Sequence, residues 1–157
     1  MEESMKYEEM PGSYLVLPGD SFPLTADQLR TYSPLSYAYI GDVVYELLIR
    51  THVVTKGNTR PGRYHKKTTG YVKAAAQSML MEAIEPMLSQ EEYTIYHRGL
   101  NAKPATTAKN QTRHDYRIAT GFETLIGWLY LSGRTGRIIE LLEKGLDSCG
   151  SCFEALR

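Results

Sequence analysis

Asp42, Glu46 and Arg50 recur every four residues in SYAYIGDVVYELLIR, Ser36–Arg50, so they share one face if the stretch is helical. Ile40, Val43, Val44 and Leu47 fall on the other side with the spacing of a core-facing surface. An apolar helix has no packing reason to carry an aspartate at its centre. Gly41, directly before it, costs about 1 kcal/mol relative to alanine in a helix interior and points to another element pressed against the backbone. Tyr116–Leu131, YRIATGFETLIGWLYL, repeats the design with a single acid, Glu123, flanked by Gly121 and Gly127. Two such helices can cross so that the carboxylates meet, and paired oxygen ligands of this kind suit Mg²⁺ or Mn²⁺. The competing reading of Asp42 is a solvated helix acid. Glu46 reads either as an outer-shell ligand, one turn beyond Asp42, or as the ion-pair partner of Arg50.

The elements that must position these acids are all helices. Thr25 or Asp27 caps a short turn leading to Tyr32, and Ser33 with Pro34 opens the first acid-bearing helix. After Arg50, THVVTKGNTRPG reads as a loop. A long helix is expected from Lys66 or Thr68 to about Leu88. Ser89 followed by Gln90, Glu91 and Glu92 resembles an N-cap with acids in the first turn of a helix to about Leu100. Asn101–Asn110 reads as a flexible polar loop, Thr112 starts the second acid-bearing helix, and Ser132-Gly133-Arg134 ends it. A last amphipathic helix covers about Thr135 to Asp147. No strand alternation or internal repeat is evident. The expected fold is all-α, about six or seven helices, with a loosely attached N-terminal arm over residues 1–32, a catalytic domain over 33–148 and a tail over 149–157.

At 157 residues and 42% hydrophobic content the chain suits one globular domain. No apolar run approaches the ~18 residues of a membrane span, so no membrane partner is expected. The acidic start lacks a basic-then-apolar leader, which makes the expected location cytoplasmic. Cys149 and Cys152 have redox or half-zinc spacing without the context either needs, and read as incidental. Net charge is zero but polarised. Thr51–Met81 holds no acid and six bases (Lys56, Arg60, Arg63, Lys66, Lys67, Lys73), and Tyr96–Ala119 holds five more (Arg98, Lys103, Lys109, Arg113, Arg117) against Asp115 alone. Such a face can grip phosphates on a neutral molecule. His65, His97 and His114 sit beside these bases and read as polar loop residues rather than catalytic bases. Tyr37, Tyr39, Tyr45, Tyr116, Tyr130 and Trp128 read as core or interface residues.

YIGDVVYELLIR resembles the signature helix of the ribonuclease III family, with its Leu-Gly-Asp-Ala-Val core. TGFETLIGWLYL is similar to that family's second metal-bearing helix, with its Glu-Ala-Leu-Ile-Gly core. Residues 33–146, including YHKKTTGYVKAAAQS and HRGLNAK, resemble the compact bacterial Mini-ribonuclease III branch, which has a catalytic domain and no double-stranded-RNA-binding domain. The resemblance implies a ribonuclease III-type endonuclease fold and a homodimer, with the apolar face of Ser36–Arg50 as its seam. It implies a metal-dependent endoribonuclease that hydrolyses double-stranded RNA, with precursor 23S ribosomal RNA as substrate and a ribosomal protein on that RNA as a further partner. Asp42 falls on the signature aspartate and Glu123 on the final metal-binding glutamate, which makes both catalytic and Mg²⁺-binding, with Mn²⁺ as a substitute. Two further acids of the full-length enzymes fall on Ala38 and Thr120 here, and the loss of these acids is itself similar to the compact branch. That leaves the number of metals open.

Lys66, Lys67, Lys73, Arg98, Asn101, Lys103, Lys109 and Arg113 are the expected RNA-binding rim, since A-form RNA is read through shape, phosphates and 2′-hydroxyls. Without a second RNA-binding domain, this rim and the dimer supply the footprint, and binding is expected to be weak and steeply salt-dependent. A non-catalytic RNA-binding or ribosome-associated module of the same fold is the alternative. A metal-dependent nucleotide phosphohydrolase is a third reading, though it calls for a histidine-aspartate cluster that the sequence lacks.

Overall fold

The described residues of this computed structural model, 24–102 and 112–155 with side chains through residue 150, form seven α-helices and no strand. They are α1 (Ala26–Arg30), α2 (Pro34–Thr55), α3 (Pro61–Val72), α4 (Ala74–Ile84), α5 (Gln90–Leu100), α6 (Arg113–Leu131) and α7 (Thr135–Ala155), with one 3₁₀ turn, Glu85–Met87, between α4 and α5. Most of the expected N-terminal arm lies outside the described residues. None of the described helices is long and apolar enough to cross a membrane.

The helix starts follow local hydrogen-bonding chemistry. Thr25 and Gln28 form a reciprocal capping box, as do Ser89 and Glu92. Ser33 accepts from the Ser36 amide with Pro34 in the first turn, and Thr112 accepts from the Asp115 amide. These four starts agree with the sequence reading. Three other boundaries differ. α2 runs on to Thr55 because Val53 is buried and no breaker occurs before Gly57, whose φ is +149°. The expected Lys66–Leu88 helix is two helices. Pro61 opens α3, and Lys73 adopts an extended backbone (φ −66°, ψ 153°) that separates α3 from α4. Lys66 and Lys67 therefore lie mid-helix. Finally, α7 continues past Asp147 to Ala155.

α6 is the central rod, packed by α2, α4, α5 and α7. Phe122, Leu125, Ile126 and Leu129 are wholly buried among Tyr45, Ile49, Leu80, Met81, Ile84, Ile138 and Leu141. Each such side chain contributes about 1.5–3 kcal/mol of burial before the entropy of ordering it is subtracted. Tyr45 meets Phe122 edge-on at 4.9 Å and donates its hydroxyl to the Tyr71 carbonyl at 2.8 Å, tying the end of α3 to α2. Tyr37 donates to the Leu29 carbonyl and anchors α1. Trp128 is also buried, under the Arg134 guanidinium 4.8 Å from the ring centre.

α2 and α6 touch backbone to backbone. A Cβ at Gly41 would overlap the Glu123 carbonyl oxygen, and one at Gly127 would overlap the Tyr37 carbonyl oxygen. Only glycine permits this approach.

The outer side of α2 corrects the sequence reading. Val44 is buried and Ile40 packs against the core, but Val43 and Leu47, expected to face inward, are 59% and 42% exposed. With Leu35 at 39% and Tyr39 at 82% they make an apolar stripe at four-residue spacing on the surface. The physical reason is the Gly41 contact. It turns the Tyr37–Gly41–Val44–Tyr45 side of α2 toward α6 and leaves the next stripe outside.

A partly buried ion pair that sequence patterning did not show joins α5 to α7. Glu92 in α5 accepts from Arg137 Nε and Nη2 at 2.9 Å on each oxygen, and Arg137 also donates to the Met87 carbonyl. These bonds hold the Glu92 carboxyl below its ordinary range.

Candidate active site

The Gly41 contact sets the site. Because the α2 backbone lies on Glu123 at residue 41, the next residue, Asp42, emerges beside the Glu123 side chain where α2 crosses α6. The two acids on separate apolar helices therefore come together as the sequence pattern implies. Glu123 is largely enclosed. Burial first, and the Asp42 charge second, push its carboxyl up to about 7, with a hydrogen bond from Gln77 pulling the other way. Asp42 stands nearer solvent, and partial burial and then Glu46 raise it. Among the described residues no salt bridge reaches either carboxylate.

Glu46 takes the ion-pair alternative. Its Oε1 accepts from Arg50 Nη2 at 2.8 Å and Nε at 3.2 Å, four residues along the same helix. No group of three or more histidine, cysteine, aspartate or glutamate side chains that could hold a metal occurs among the described residues, so the nucleotide-phosphohydrolase reading finds no ligand cluster there.

Sequence reasoning missed Gln77. It lies in the first turn of α4, and the break at Lys73 positions it. The end of α3 leaves the Val72 carbonyl without a helical partner, and Gln77 Nε2 donates to it at 3.0 Å. The same nitrogen donates to Glu123 Oε1 at 3.3 Å. Gln77 is 2% exposed, and its Oε1 has no hydrogen-bond partner among the described residues. A glutamine four residues into an alanine-rich helix carries no recognisable sequence signal, and only the α3–α4 break brings it to Glu123.

Two adjacent carboxylates whose charges repel suit a divalent cation, which would relieve both. The orphaned Gln77 oxygen fits as well, because Mg²⁺ keeps several waters and those waters need acceptors. Asp42 and Glu123 are the groups that would hold the ion.

The expected rim is only partly gathered. Lys66 and Lys67 are exposed on α3, Arg113 is exposed at the start of α6, and Lys73 is half-buried at the α3–α4 junction. Arg98 donates to the Tyr32 carbonyl at 3.4 Å. Asn101 is held in place, its Oδ1 accepting from Arg117 Nη2 at 3.2 Å and its Nδ2 lying 3.1 Å from His97 Nδ1. Arg117, outside the expected rim, also donates to the Leu100 carbonyl and so fixes the turn after α5. Lys103 and Lys109 lie outside the described residues. His65 lines a cleft between α2 and α3 with Arg50, Val54, Pro61, Tyr64 and Thr68, and His97 stacks on Tyr93.

Residues 35–134 match the Ribonuclease III domain family model. The chain is 45% identical to Mini-ribonuclease 3 of Clostridium tetani over 126 residues, covering 80% of this chain and 82% of that protein. It is 46% identical to Mini-ribonuclease 3 of Thermoanaerobacter over 120 residues, covering 76% and 84% respectively. A crystal structure of a Fusobacterium nucleatum protein superposes with a TM-score of 0.69 at 30% identity, covering 76% of this chain and 96% of that one.

Proposed function

The chain belongs to the ribonuclease III family and is an endoribonuclease of double-stranded RNA, and we propose that it cuts with a divalent cation, Mg²⁺ or Mn²⁺, held by Asp42 and Glu123. One observation carries the site assignment. A largely buried glutamate is pushed up to about 7 by its enclosure and by an aspartate from a second helix, at a crossing that two glycines hold close. A fold gains nothing by enclosing one acid against the charge of another, whereas a cation site needs both. Bound there, the ion would supply a water for in-line attack on phosphorus and neutralise charge on the departing 3′ oxygen.

The chain's own groups do the rest. α2 and α6 fix the separation of the carboxylates, and Gln77 steadies Glu123. Lys66, Lys67, Lys73, Arg98 and Arg113 offer positive charge to the phosphates, while Asn101, held by Arg117, braces the turn after α5. The exposed Leu35, Tyr39, Val43 and Leu47 stripe is the seam of a homodimer, since four apolar side chains in one row favour burial against a second copy. The sequence resemblance of the two acid-bearing helices implies precursor 23S ribosomal RNA as the substrate and the cytoplasm as the place of work, with a ribosomal protein on that RNA as a further partner.

The test is cleavage of a labelled RNA duplex in Mg²⁺ by wild type, Asp42→Asn and Glu123→Gln. The assignment requires that wild type cuts and both variants bind the duplex while losing at least about 1,000-fold in rate, roughly 4 kcal/mol of barrier. A variant that cuts at the wild-type rate removes that residue from the site. If wild type binds every duplex, including precursor 23S RNA, without cutting, the fold serves as a binding module.

A further inference from the structure

The two carboxylates leave a divalent ion short of protein ligands, because the positions that carry further acids in the full-length enzymes are Ala38 and Thr120. Ala38 is buried, and the Thr120 hydroxyl is turned back to the Tyr116 carbonyl at 2.9 Å. Neither can contribute to the ion. Gln77 is the one other polar side chain shown in contact with Glu123.

Its orientation is dictated by its neighbours. The Val72 carbonyl and Glu123 Oε1 are both acceptors, so the amide must turn its NH₂ to them. Oε1 is then forced to the other side of the amide, where it is enclosed and has no donor among the described residues. A buried acceptor left this way costs roughly 1–3 kcal/mol. Such a group in a native fold calls for a partner, and a water or a cation is what a carbonyl-type oxygen accepts. The carboxylate pair is at hand to bring either, since Nε2 of the same amide lies 3.3 Å from Glu123 Oε1.

We propose that Gln77 is the third protein group of the metal site, a positioning residue whose Nε2 orients Glu123 and whose Oε1 accepts a hydrogen bond from a water on the divalent ion. It replaces, with a neutral group from α4, part of what the missing acids would supply. The inference rests on the assignment of the ion to Asp42 and Glu123. Partners of this outer kind are typically worth 10–100-fold in metal affinity.

The experiment is calorimetric titration of Mg²⁺ and Mn²⁺ into the whole protein, with thermal midpoints recorded with and without the ion, for wild type, Gln77→Met, Gln77→Glu and Asp42→Asn. Gln77→Met, which keeps the shape and removes both polar atoms, is expected to weaken ion binding at least tenfold. It is also expected to raise the Mg²⁺ needed for half-maximal duplex cleavage by a similar factor, with the rate largely restored at saturating ion. Gln77→Glu is expected to lower the ion-free midpoint, because three carboxylates then crowd together, yet to bind the ion more tightly than wild type. A glutamine that only braces the α3–α4 break would lower the midpoint in both variants and leave ion affinity unchanged, and that result overturns the proposal. Should Gln77→Met fail to fold, Gln77→Glu decides alone: ion binding no tighter than wild type overturns it. If Asp42→Asn binds and responds to the ion as wild type does, the site assignment itself has failed, a different outcome from an indifferent Gln77.

Discussion

Two enclosed glutamates, Glu92 on α5 and Glu123 on α6, stand in opposite electrostatic states. Glu92 is clamped by the Arg137 guanidinium and by its own capping box with Ser89, so its carboxyl is held below the ordinary range. Glu123 has an aspartate beside it and only an amide as hydrogen-bond donor, so its carboxyl rises to about 7. The first is a solved burial problem. The second is an unsolved one that a cation would solve. Enclosure alone does not mark a functional acid; enclosure without a cationic partner, at an enforced helix crossing, does.

The comparison breaks most severely at Glu92. Arg137→Met strands that carboxylate and is expected to cost about 3–5 kcal/mol, while Glu92→Gln with Arg137→Met together cost less than Arg137→Met alone. Urea unfolding curves of the two variants check both statements. Gly41→Ala comes next. Its methyl overlaps the Glu123 carbonyl, so the helices must part, at a cost of about 3 kcal/mol. Cleavage should fall further than stability explains, because the acids separate too; rates compared at a temperature where the variant is fully folded reveal this.

The two glutamates also give the domain opposite pH slopes. Glu92, with a lowered value, contributes stability that is present above about 4.5 and fades as pH falls. Glu123, with a raised value, contributes stability that is present below about 4.5 and is lost as pH rises through about 7, by up to about 3 kcal/mol in the ion-free protein. Thermal midpoints between pH 5 and 8 in chelator should therefore decline, and Glu123→Gln should flatten the decline. The smallest effect belongs to the basic face. Lys66→Ala and Lys67→Ala should leave stability within about 0.5 kcal/mol and lower the salt slope of duplex binding by about one each. Binding titrations at several salt concentrations measure it.

Much of this was legible in the sequence because it is local. The Thr25, Ser33, Ser89 and Thr112 starts are written in cap chemistry, and the acids with adjacent glycines announce a close crossing. What stayed hidden depends on rotation and on long-range contact. The face of α2 that turns inward is decided by Gly41 against Glu123, so Val43 and Leu47 looked like core and are surface. The break at Lys73 lies in a run with good helix formers after it, and without that break Gln77 has no visible role. Glu92 and Arg137 are 45 residues apart, and nothing short-range joins them.

The most direct test is the thermal midpoint of wild type and Glu123→Gln at pH 7.5, each in chelator and in saturating Mg²⁺. Glu123→Gln should be the more stable in chelator, and Mg²⁺ should raise the wild-type midpoint while leaving the variant nearly unmoved. An equal rise in both proteins, or none in wild type, contradicts the claim that Glu123 and Asp42 are held together for a cation.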